Sequence, residues 1–297
     1  MRVAANVGVA DEIELIDDVI EHLQYLEIDH IVITDVRSRD GTRERLRDHS
    51  AAGTIDLIEV DGDTPEAFHY ANRMLRHTRR LYAPDWIVFG DADEFLVPRD
   101  GDLRRVLAET THDVLVVPRL NIVPHHHSQW AVGKLRPPGY STLDLVVDPI
   151  PDLRIHLQQN PSTPWILGRV QPKIIARSRC VDSIVIGAHN VQQSTQRISR
   201  FRSPDLVIAH AAITSEPRFL RKLRNLRDVF DHADHEFTEQ MAWHWRRWLE
   251  IEHCGEGSSE YHHNVFDKEQ LALLREQGRV ATACQWFERQ PVTPVLP

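Results

Sequence analysis

Short apolar runs alternate with amphipathic stretches through the first 120 residues of the chain. Five of the runs have the length of buried strands: 2–9, 30–35, 55–60, 85–90 and 113–117. Four segments between them repeat apolar residues at helical spacing: 11–26, 42–49, 65–80 and 103–109. Strands separated by helices of this length predict right-handed crossover connections, and therefore an α/β fold with a mostly parallel sheet.

The pattern changes beyond residue 120. Residues 120–165 are rich in proline and show little periodicity, which predicts a long functional excursion from the sheet. Strand patterns return at 171–177, 181–186 and 206–209, and apolar residues then recur at helical spacing from Glu216 onward. We therefore expect an α/β domain over residues 1–215 and a helical C-terminal extension over residues 216–297.

Composition narrows the class of protein. The 297 residues are 41% apolar and 27% charged, an ordinary balance for a globular protein. The net charge of −9 argues against nonspecific nucleic-acid binding, which depends on neutralising phosphates. No run approaches the roughly 18 apolar residues of a membrane-spanning helix, and acidic residues begin at Asp11, too early for a secretory signal. The three cysteines are far apart and odd in number, so we expect a reducing, cytoplasmic location.

An acidic segment, Asp91-Ala92-Asp93-Glu94, follows the fourth apolar run, at the strand end where α/β sheets place ligands. At a turn, two carboxylates with one residue between them can converge on a divalent cation, and their oxygens suit Mg²⁺ or Mn²⁺. The same spacing recurs at residues 61–63, where Thr64-Pro65 follows and indicates the start of a helix. A solvated turn is the alternative for residues 91–94, but the apolar run that continues after Glu94 favours function.

A second group of polar residues follows the second strand. Asp35 ends that strand and the segment 38–42, with Asp40, comes directly after it. These carboxylates could accept hydrogen bonds from a nucleobase and a ribose hydroxyl. A turn followed by a helix N-cap explains the segment equally well.

Together these segments resemble family 2 glycosyltransferases of the GT-A fold. Residues 16–42 resemble the N-terminal block of that family, and residues 86–96 are similar to its metal-binding DxD segment in the variant that ends DEF. Val207-Ile208-Ala209-His210, with Ser215 and residues 219–222, resembles a later block of the same subgroup. The match covers residues 1–120 well and residues 165–225 more loosely.

The resemblance implies a GT-A-like, Rossmann-related fold and a metal-dependent, inverting transfer of a hexose-like sugar. The donor would be a nucleotide-diphosphate sugar, with a UDP-sugar favoured, and the acceptor a glycan or small molecule. The ion would be Mn²⁺ or Mg²⁺. Asp35 would lie near the base, Asp40 near the ribose or uracil, and Asp91 and Asp93 at the ribose and the metal.

Two further residues follow from the resemblance. His189, in Gly187-Ala188-His189, is the best match to a later histidine ligand of the metal. Members often carry Lys-Asn-Glu at the end of the first strand, where this chain reads Ala5-Asn6-Val7, so only Asn6 carries over as a donor contact.

The chemistry of the transfer suggests other candidates. Negative charge develops on the leaving diphosphate, which a cation stabilises, and Lys173 is a second positive candidate, with a solvated strand-edge lysine as its alternative. An inverting transfer also needs a general base, for which the sequence offers three unranked aspartates in the excursion: Asp144, Asp148 and Asp152. His125–His127 is a poor metal cluster because adjacent residues rarely converge on one ion.

Other interpretations stay open. Trp243, Trp245 and Trp248 suit the core or an acceptor platform, with peripheral membrane contact as a further alternative. A sugar nucleotidyltransferase would need a Gly-rich basic loop after the first strand, which residues 6–11 lack. A catalytically silent carbohydrate-binding protein on the same fold is the rival from a different class.

Overall fold

Strands and helices alternate through the first half of the chain, as the hydrophobic pattern predicts. The computed structural model describes residues 1–61, 70–125, 132–194, 197–233 and 243–291. The strands within these ranges are β1 (Val3–Val9), β2 (His30–Val36), β3 (Asp56–Val60), β4 (Trp86–Asp91), β5 (Glu94–Pro98), β6 (Val114–Val117), β7 (Arg119–Asn121), β8 (Asp144–Val146), β9 (Lys173–Arg177), β10 (Ser183–Ile184), β11 (Val191–Gln193), β12 (Arg200–Arg202), β13 (Leu206–His210) and β14 (Val280–Thr282). The helices are α1 (Ile16–Tyr25), α2 (Thr42–Ala51), α3 (Tyr70–Tyr82), α4 (Leu103–Glu109), α5 (Leu153–Gln159), α6 (Glu216–Ala233), α7 (Trp243–His253), α8 (Gly257–His263), α9 (Lys268–Glu276) and α10 (Ala283–Glu288).

The main sheet has seven strands in the order β12-β6-β9-β4-β1-β2-β3. Strands β1 to β4 run parallel to their neighbours among themselves, while β9 lies antiparallel between β4 and β6. Every residue of β1 is buried, because α1 packs in the core on one face of the sheet and α3 packs on the other. The predicted α/β fold class with a mostly parallel sheet is confirmed.

The strand order creates a crevice between β1 and β4. The chain moves outward from β1 through β2 to β3 and then returns to the other side of β1 with β4. At such a reversal the crossover helices lie on opposite faces, which leaves a ligand-binding crevice at the carboxyl ends of the two strands. Asp91 is the last residue of β4 and pairs with Gly8 near the end of β1.

A second, three-stranded sheet, β5-β13-β7, begins at this crevice. After the turn at residues 92–93, β5 pairs antiparallel with β13, and the register places His210 opposite Glu94. Two strands far apart in sequence therefore bring an imidazole beside the acidic turn.

The described residues of the C-terminal extension are mostly helical, as predicted, and they also include strand β14. Phe219, Leu223 and Trp248 form a second core with Trp165 of the excursion and with Ile166, which follows it. Strand β14 then pairs with β8, and α10 packs into the core of the main sheet. The boundary at residue 215 stays a prediction. The expected helix start at residues 63–65 lies outside the described residues. So do Phe237 and Met241, two of the apolar residues that recur at helical spacing after Glu216.

Within the described ranges, every helix is too short or too polar to traverse a lipid bilayer.

Candidate active site

The acidic turn presents its carboxylates at two depths. The Asp91 side chain is 41% exposed at the crevice, whereas Asp93 and Glu94 are buried beneath it. The backbone N–H of Asp91 donates to Oε2 of Glu94 at 3.1 Å, which closes the turn. The turn thus offers one carboxylate to a ligand and keeps two within the protein.

Two cations from other strands, Lys173 and Arg119, neutralise the carboxylates of Asp91 and Glu94. Lys173, at the start of β9, is 1% exposed, and its Nζ lies 2.7 Å from Asp91 Oδ2 and 3.2 Å from Glu94 Oε2. Arg119 of β7 pairs with the other oxygen of Glu94. Burial alone would raise the pKa of Glu94, but the charges of Lys173 and Arg119 outweigh it and hold that pKa below its usual value.

Asp93 receives its counterions from α6. Its Oδ2 accepts from Lys222 Nζ at 2.8 Å and from Arg218 Nη2 at 3.1 Å. Arg218 is fixed in turn by Glu12, whose carboxylate it binds with two nitrogens at 2.6 and 2.9 Å. Burial would raise the pKa of Asp93, yet the charges of Lys222 and Arg218 hold it well below its usual range.

His210 completes the cluster, and its neighbours fix its tautomer. The Asn121 amide nitrogen donates to the carbonyl of Ile166 at 2.7 Å, so its Oδ1 faces His210 Nδ1, also at 2.7 Å. Nδ1 must therefore be the donor, which leaves the Nε2 lone pair directed at Asp93 Oδ2, 3.7 Å away. Burial lowers the pKa of His210 and favours this neutral form.

This arrangement fits a divalent cation. Asp93, Glu94 and His210 offer ligand atoms that all lie within 4.8 Å of one another. An imidazole lone pair and a carboxylate oxygen that face each other require a positive charge between or beside them. Metal-binding histidines commonly donate their other ring N–H to an oxygen, as His210 does to Asn121.

Of the predicted nucleotide contacts, Asp35 lies near the end of β2 and Asn6 lies in the middle of β1. Asp35 is fully buried; Arg43 donates to its Oδ2, while its Oδ1 has no hydrogen-bond partner within the described part of the chain. Asn6 is also buried, and its Oδ1 accepts from Thr78 at 2.6 Å. Its amide nitrogen is likewise unpartnered within those ranges.

Asp40 holds the segment around it together. Its carboxylate accepts from the backbone of Thr42 at 3.1 Å and of Ile13 at 3.2 Å, and it forms an ion pair with Arg221 at 3.2 Å. These contacts match the turn half of the turn-and-cap alternative and connect the segment to α6, but the N-cap of α2 is Gly41, which provides no side-chain hydrogen bond. The role of Asp40 toward a donor stays a prediction.

His189 lies close enough to Lys173 and Arg119, the two cations that pair with Glu94, to be affected by their charges. Its Nδ1 is 2.8 Å from the Pro172 carbonyl, and burial, with the charges of Lys173 and Arg119, lowers its pKa to about 4. The ligand group at Asp93 and Glu94 contains His210 rather than His189. The role of His189 as a metal ligand stays a prediction, and the structure adds His210 as a second candidate histidine at this turn.

The candidate bases in the excursion have structural contacts. Asp144 forms an ion pair with Arg275 at 2.8 Å, Asp152 caps the first turn of α5, and Asp148 is exposed. Of the three consecutive histidines, His125 forms an isolated parallel β-bridge with Phe266 through its backbone, and residues 126–127 lie outside the described residues. The general base stays unassigned.

Sequence reasoning missed several residues of the site. Tyr70 covers Gly8 so closely that a Cβ there would overlap the Tyr70 hydroxyl, and burial together with Asp91 and Glu94 raises the pKa of Tyr70. Arg218 did leave a signal, since its spacing of four from Lys222 places both cations on one face of a helix.

His244 is a further unpredicted residue near the cluster. Its ring centroid lies 5.8 Å from those of Trp165 and Trp243 and 5.9 Å from that of Trp248. Burial, with the charge of Lys222, lowers the pKa of His244 to about 3, so the imidazole is neutral near pH 7.

Comparisons with known proteins identify partial likenesses. No family model matches the chain. Uncharacterized proteins of Mycobacterium tuberculosis and Mycobacterium bovis are each 35% identical over 94 residues, which is 30% of this chain and 22% of theirs. The match thus spans about a fifth of the length of these curated relatives.

Solved structures similar to the chain include glycosyltransferases of the GT-A type. Staphylococcus aureus TarS in complex with UDP-GlcNAc is 13% identical, with a TM-score of 0.41 over 84% of this chain and 70% of that chain. Glucosyl-3-phosphoglycerate synthase from Mycobacterium tuberculosis, in complex with Mn²⁺, UDP and its product, is 16% identical, with a TM-score of 0.38 over 78% of this chain and 80% of that chain. None of these matches assigns a family to the chain.

Proposed function

We propose that the chain is a metal-assisted glycosyltransferase that moves a sugar from a nucleotide-diphosphate sugar to a glycan or small-molecule acceptor, with inversion. One observation carries the proposal: Asp35, a buried carboxylate whose Oδ1 has no partner among the described residues, lies near the carboxyl end of β2, and the cluster of Asp93, Glu94 and His210 lies beyond the carboxyl end of β4. Asp35 pairs with Val9, and Asp91 pairs with Gly8, so the two aspartates flank the end of β1. Two strand spacings separate them, or about 10 Å.

Asp35 suits the recognition of a base. Its buried Oδ1 can accept an N–H, and leaving such an acceptor unpaired costs about 1–3 kcal/mol. Arg43 holds the other oxygen and so fixes the direction of the free one. Uracil carries a ring N–H of the required kind, as does guanine, so this contact is consistent with the proposed UDP-sugar.

The acidic turn suits the diphosphate end of the donor. Asp93 and Glu94 would hold the divalent cation with His210 as the imidazole ligand, while the exposed Asp91 lies where the ribose and diphosphate would pass. When bound, the ion would stabilise the negative charge that develops on the leaving diphosphate. Lys173 opposes the burial that raises the pKa of Asp91, helps to hold the pKa of Glu94 low and orients both carboxylates, and this is the role we propose for it ahead of direct phosphate contact.

The extension contributes to the site as well. Residues 1–215 would bind the donor, and α6 of the extension supplies Lys222 and Arg218 to Asp93. Trp243, which is half-buried beside His244, is a candidate platform for the acceptor.

A binding screen tests this function. Thermal unfolding would be followed with UDP, GDP and CDP, each with and without Mn²⁺, for the wild type, Asp35→Asn and Asp93→Asn. Asp48→Asn, an exposed carboxylate on α2, is the matched control. We expect UDP with Mn²⁺ to stabilise the wild type and the control by about 2.7 kcal/mol at a hundredfold excess over Kd, and both site variants to lose most of this effect.

Two outcomes would contradict the proposal. Absence of any nucleotide effect in the wild type would favour the silent carbohydrate-binding protein. Formation of an activated sugar from a nucleoside triphosphate and a sugar phosphate would favour the nucleotidyltransferase.

A further inference from the structure

We propose that Lys222 is a displaceable internal counterion: it neutralises Asp93 while the metal is absent and transfers to the donor diphosphate when the metal binds. This inference rests on the proposed function and assigns a specific role to one residue of α6.

The first argument is the crowding of one oxygen. Lys222, Arg218 and the His210 lone pair all approach Oδ2 of Asp93, at 2.8, 3.1 and 3.7 Å. The Lys222 ammonium neutralises the same carboxylate oxygen that a bound metal would neutralise.

The second argument is that the cations around the turn differ in their freedom to move. Arg218 is 1% exposed and is bound to Glu12 as well as to the carbonyls of Ala211 and Ala212 at 3.1 and 3.3 Å. Lys173 is equally buried and lies between two carboxylates. Neither can leave without exposing buried charges.

Lys222 is held far less firmly. Its side chain is 27% exposed. Among the described residues, its Nζ makes one polar contact, with Asp93 Oδ2. A lysine ammonium is a compact charge on a flexible stem, so it can exchange one anionic partner for another at small cost. Lys222 is therefore the counterion that an incoming ion would displace.

The third argument is charge. A divalent cation bound beside Asp93 would repel an ammonium a few ångströms away, and that repulsion is strong where water is scarce. The diphosphate of the donor offers the released ammonium a new anionic partner in the same crevice. Metal and donor would then bind cooperatively, because the metal releases the Lys222 ammonium for the diphosphate and the diphosphate offsets the added positive charge.

The test uses Lys222→Met, which keeps most of the stem and removes the charge. Arg224→Met is the matched control, since it removes one exposed positive charge from the same helix. Mn²⁺ binding without nucleotide would be measured by electron paramagnetic resonance, and UDP binding at saturating Mn²⁺ by calorimetry. We expect Lys222→Met to bind Mn²⁺ about tenfold more tightly and UDP about tenfold more weakly, with Arg224→Met within about twofold of the wild type in both.

Unchanged or weaker Mn²⁺ binding by Lys222→Met would overturn the proposal, as would unchanged UDP binding or no measurable Mn²⁺ binding by either protein. Lys222→Gln and Lys222→Arg extend the test if the methionine variant folds poorly: the first should behave like Lys222→Met, and the second should keep wild-type Mn²⁺ affinity. Failure of the proposed function has a different signature, namely a wild type that binds Mn²⁺ but no UDP.

Discussion

Replacing Lys173 with methionine should destabilise the fold strongly at neutral pH. The Lys173 ammonium is buried between Asp91 and Glu94, and Glu94 is itself 1% exposed. Methionine matches the stem in shape, so the variant retains most of the packing and loses the charge. Glu94 then keeps only Arg119 to offset its burial, and Asp91 loses its 2.7 Å partner.

The magnitude follows from the cost of an unpaired buried charge. Removing one partner of a buried ion pair typically costs about 3–5 kcal/mol, whereas replacing both partners with neutral groups costs much less. Lys173→Met should therefore lower the free energy of unfolding by about 3–5 kcal/mol, and Lys173→Met with Glu94→Gln by clearly less. In a chain of this length the single variant corresponds to a fall in Tm of roughly 5–8 °C.

The pH dependence gives a second check. The pKa of Glu94 is held low in the folded state, so its contribution to stability is present above the unfolded value of about 4.3 and is lost as pH falls. The variant has already lost the Lys173 part of that contribution. The difference in stability between wild type and Lys173→Met should therefore be largest near pH 7 and shrink toward pH 4.

Urea unfolding of the two variants and the wild type, followed by circular dichroism at several pH values, measures each quantity. A double variant as unstable as Lys173→Met would refute the ion-pair reasoning. A stability difference independent of pH would refute it as well, because a packing defect does not titrate.

Three further predictions follow from the same region. Gly8→Ala should cost about 1–3 kcal/mol in urea unfolding because the new Cβ overlaps Tyr70, and adding Tyr70→Ala should restore part of the loss; a harmless Gly8→Ala would contradict this contact. Burial lowers the pKa of His22 to about 4, below the unfolded value of about 6.5, so the stability of the fold should decrease as pH drops from about 6.5 to about 4. The Tm of His22→Gln should fall less steeply over this range, and parallel curves of Tm against pH for the two proteins would contradict the prediction. Asn121→Ala should weaken Mn²⁺ binding about 10- to 100-fold in a calorimetric titration, because His210 loses the acceptor that fixes its tautomer, and an unchanged affinity would remove His210 from the ligand set.

The elements of the first half could be predicted because their patterns are local. The apolar run at 30–35 becomes β2 almost residue for residue, since a strand covered on both faces must be apolar throughout. The second sheet could not be predicted in the same way. Residues 95–97 read only as an apolar run, and their pairing with β13 joins segments more than 100 residues apart. Strand β14, which returns from the helical extension to pair with β8, could not be predicted for the same reason.

The same difference between local and long-range signals applies to the candidate site. Asp91 and Asp93 could be predicted because a paired-carboxylate turn after a strand is a local signal. His189 and His210 each follow an apolar, strand-like stretch, and nothing local distinguishes them. The register of β13 against β5 places His210 opposite Glu94, and that register is a property of the folded chain.

The charges around the acidic turn lead us to expect that the proposed metal and donor bind together. Asp91, Asp93, Glu94 and Glu12 are matched by Lys173, Arg119, Arg218 and Lys222. This network is close to neutral, so its carboxylates do not draw in a cation by net charge alone. A divalent cation without a diphosphate would leave excess positive charge in a buried place, and a diphosphate without the cation would face the exposed Asp91 carboxylate. Bound together, the two nearly preserve the balance, and because burial makes imbalance costly, the joint complex is the favoured state.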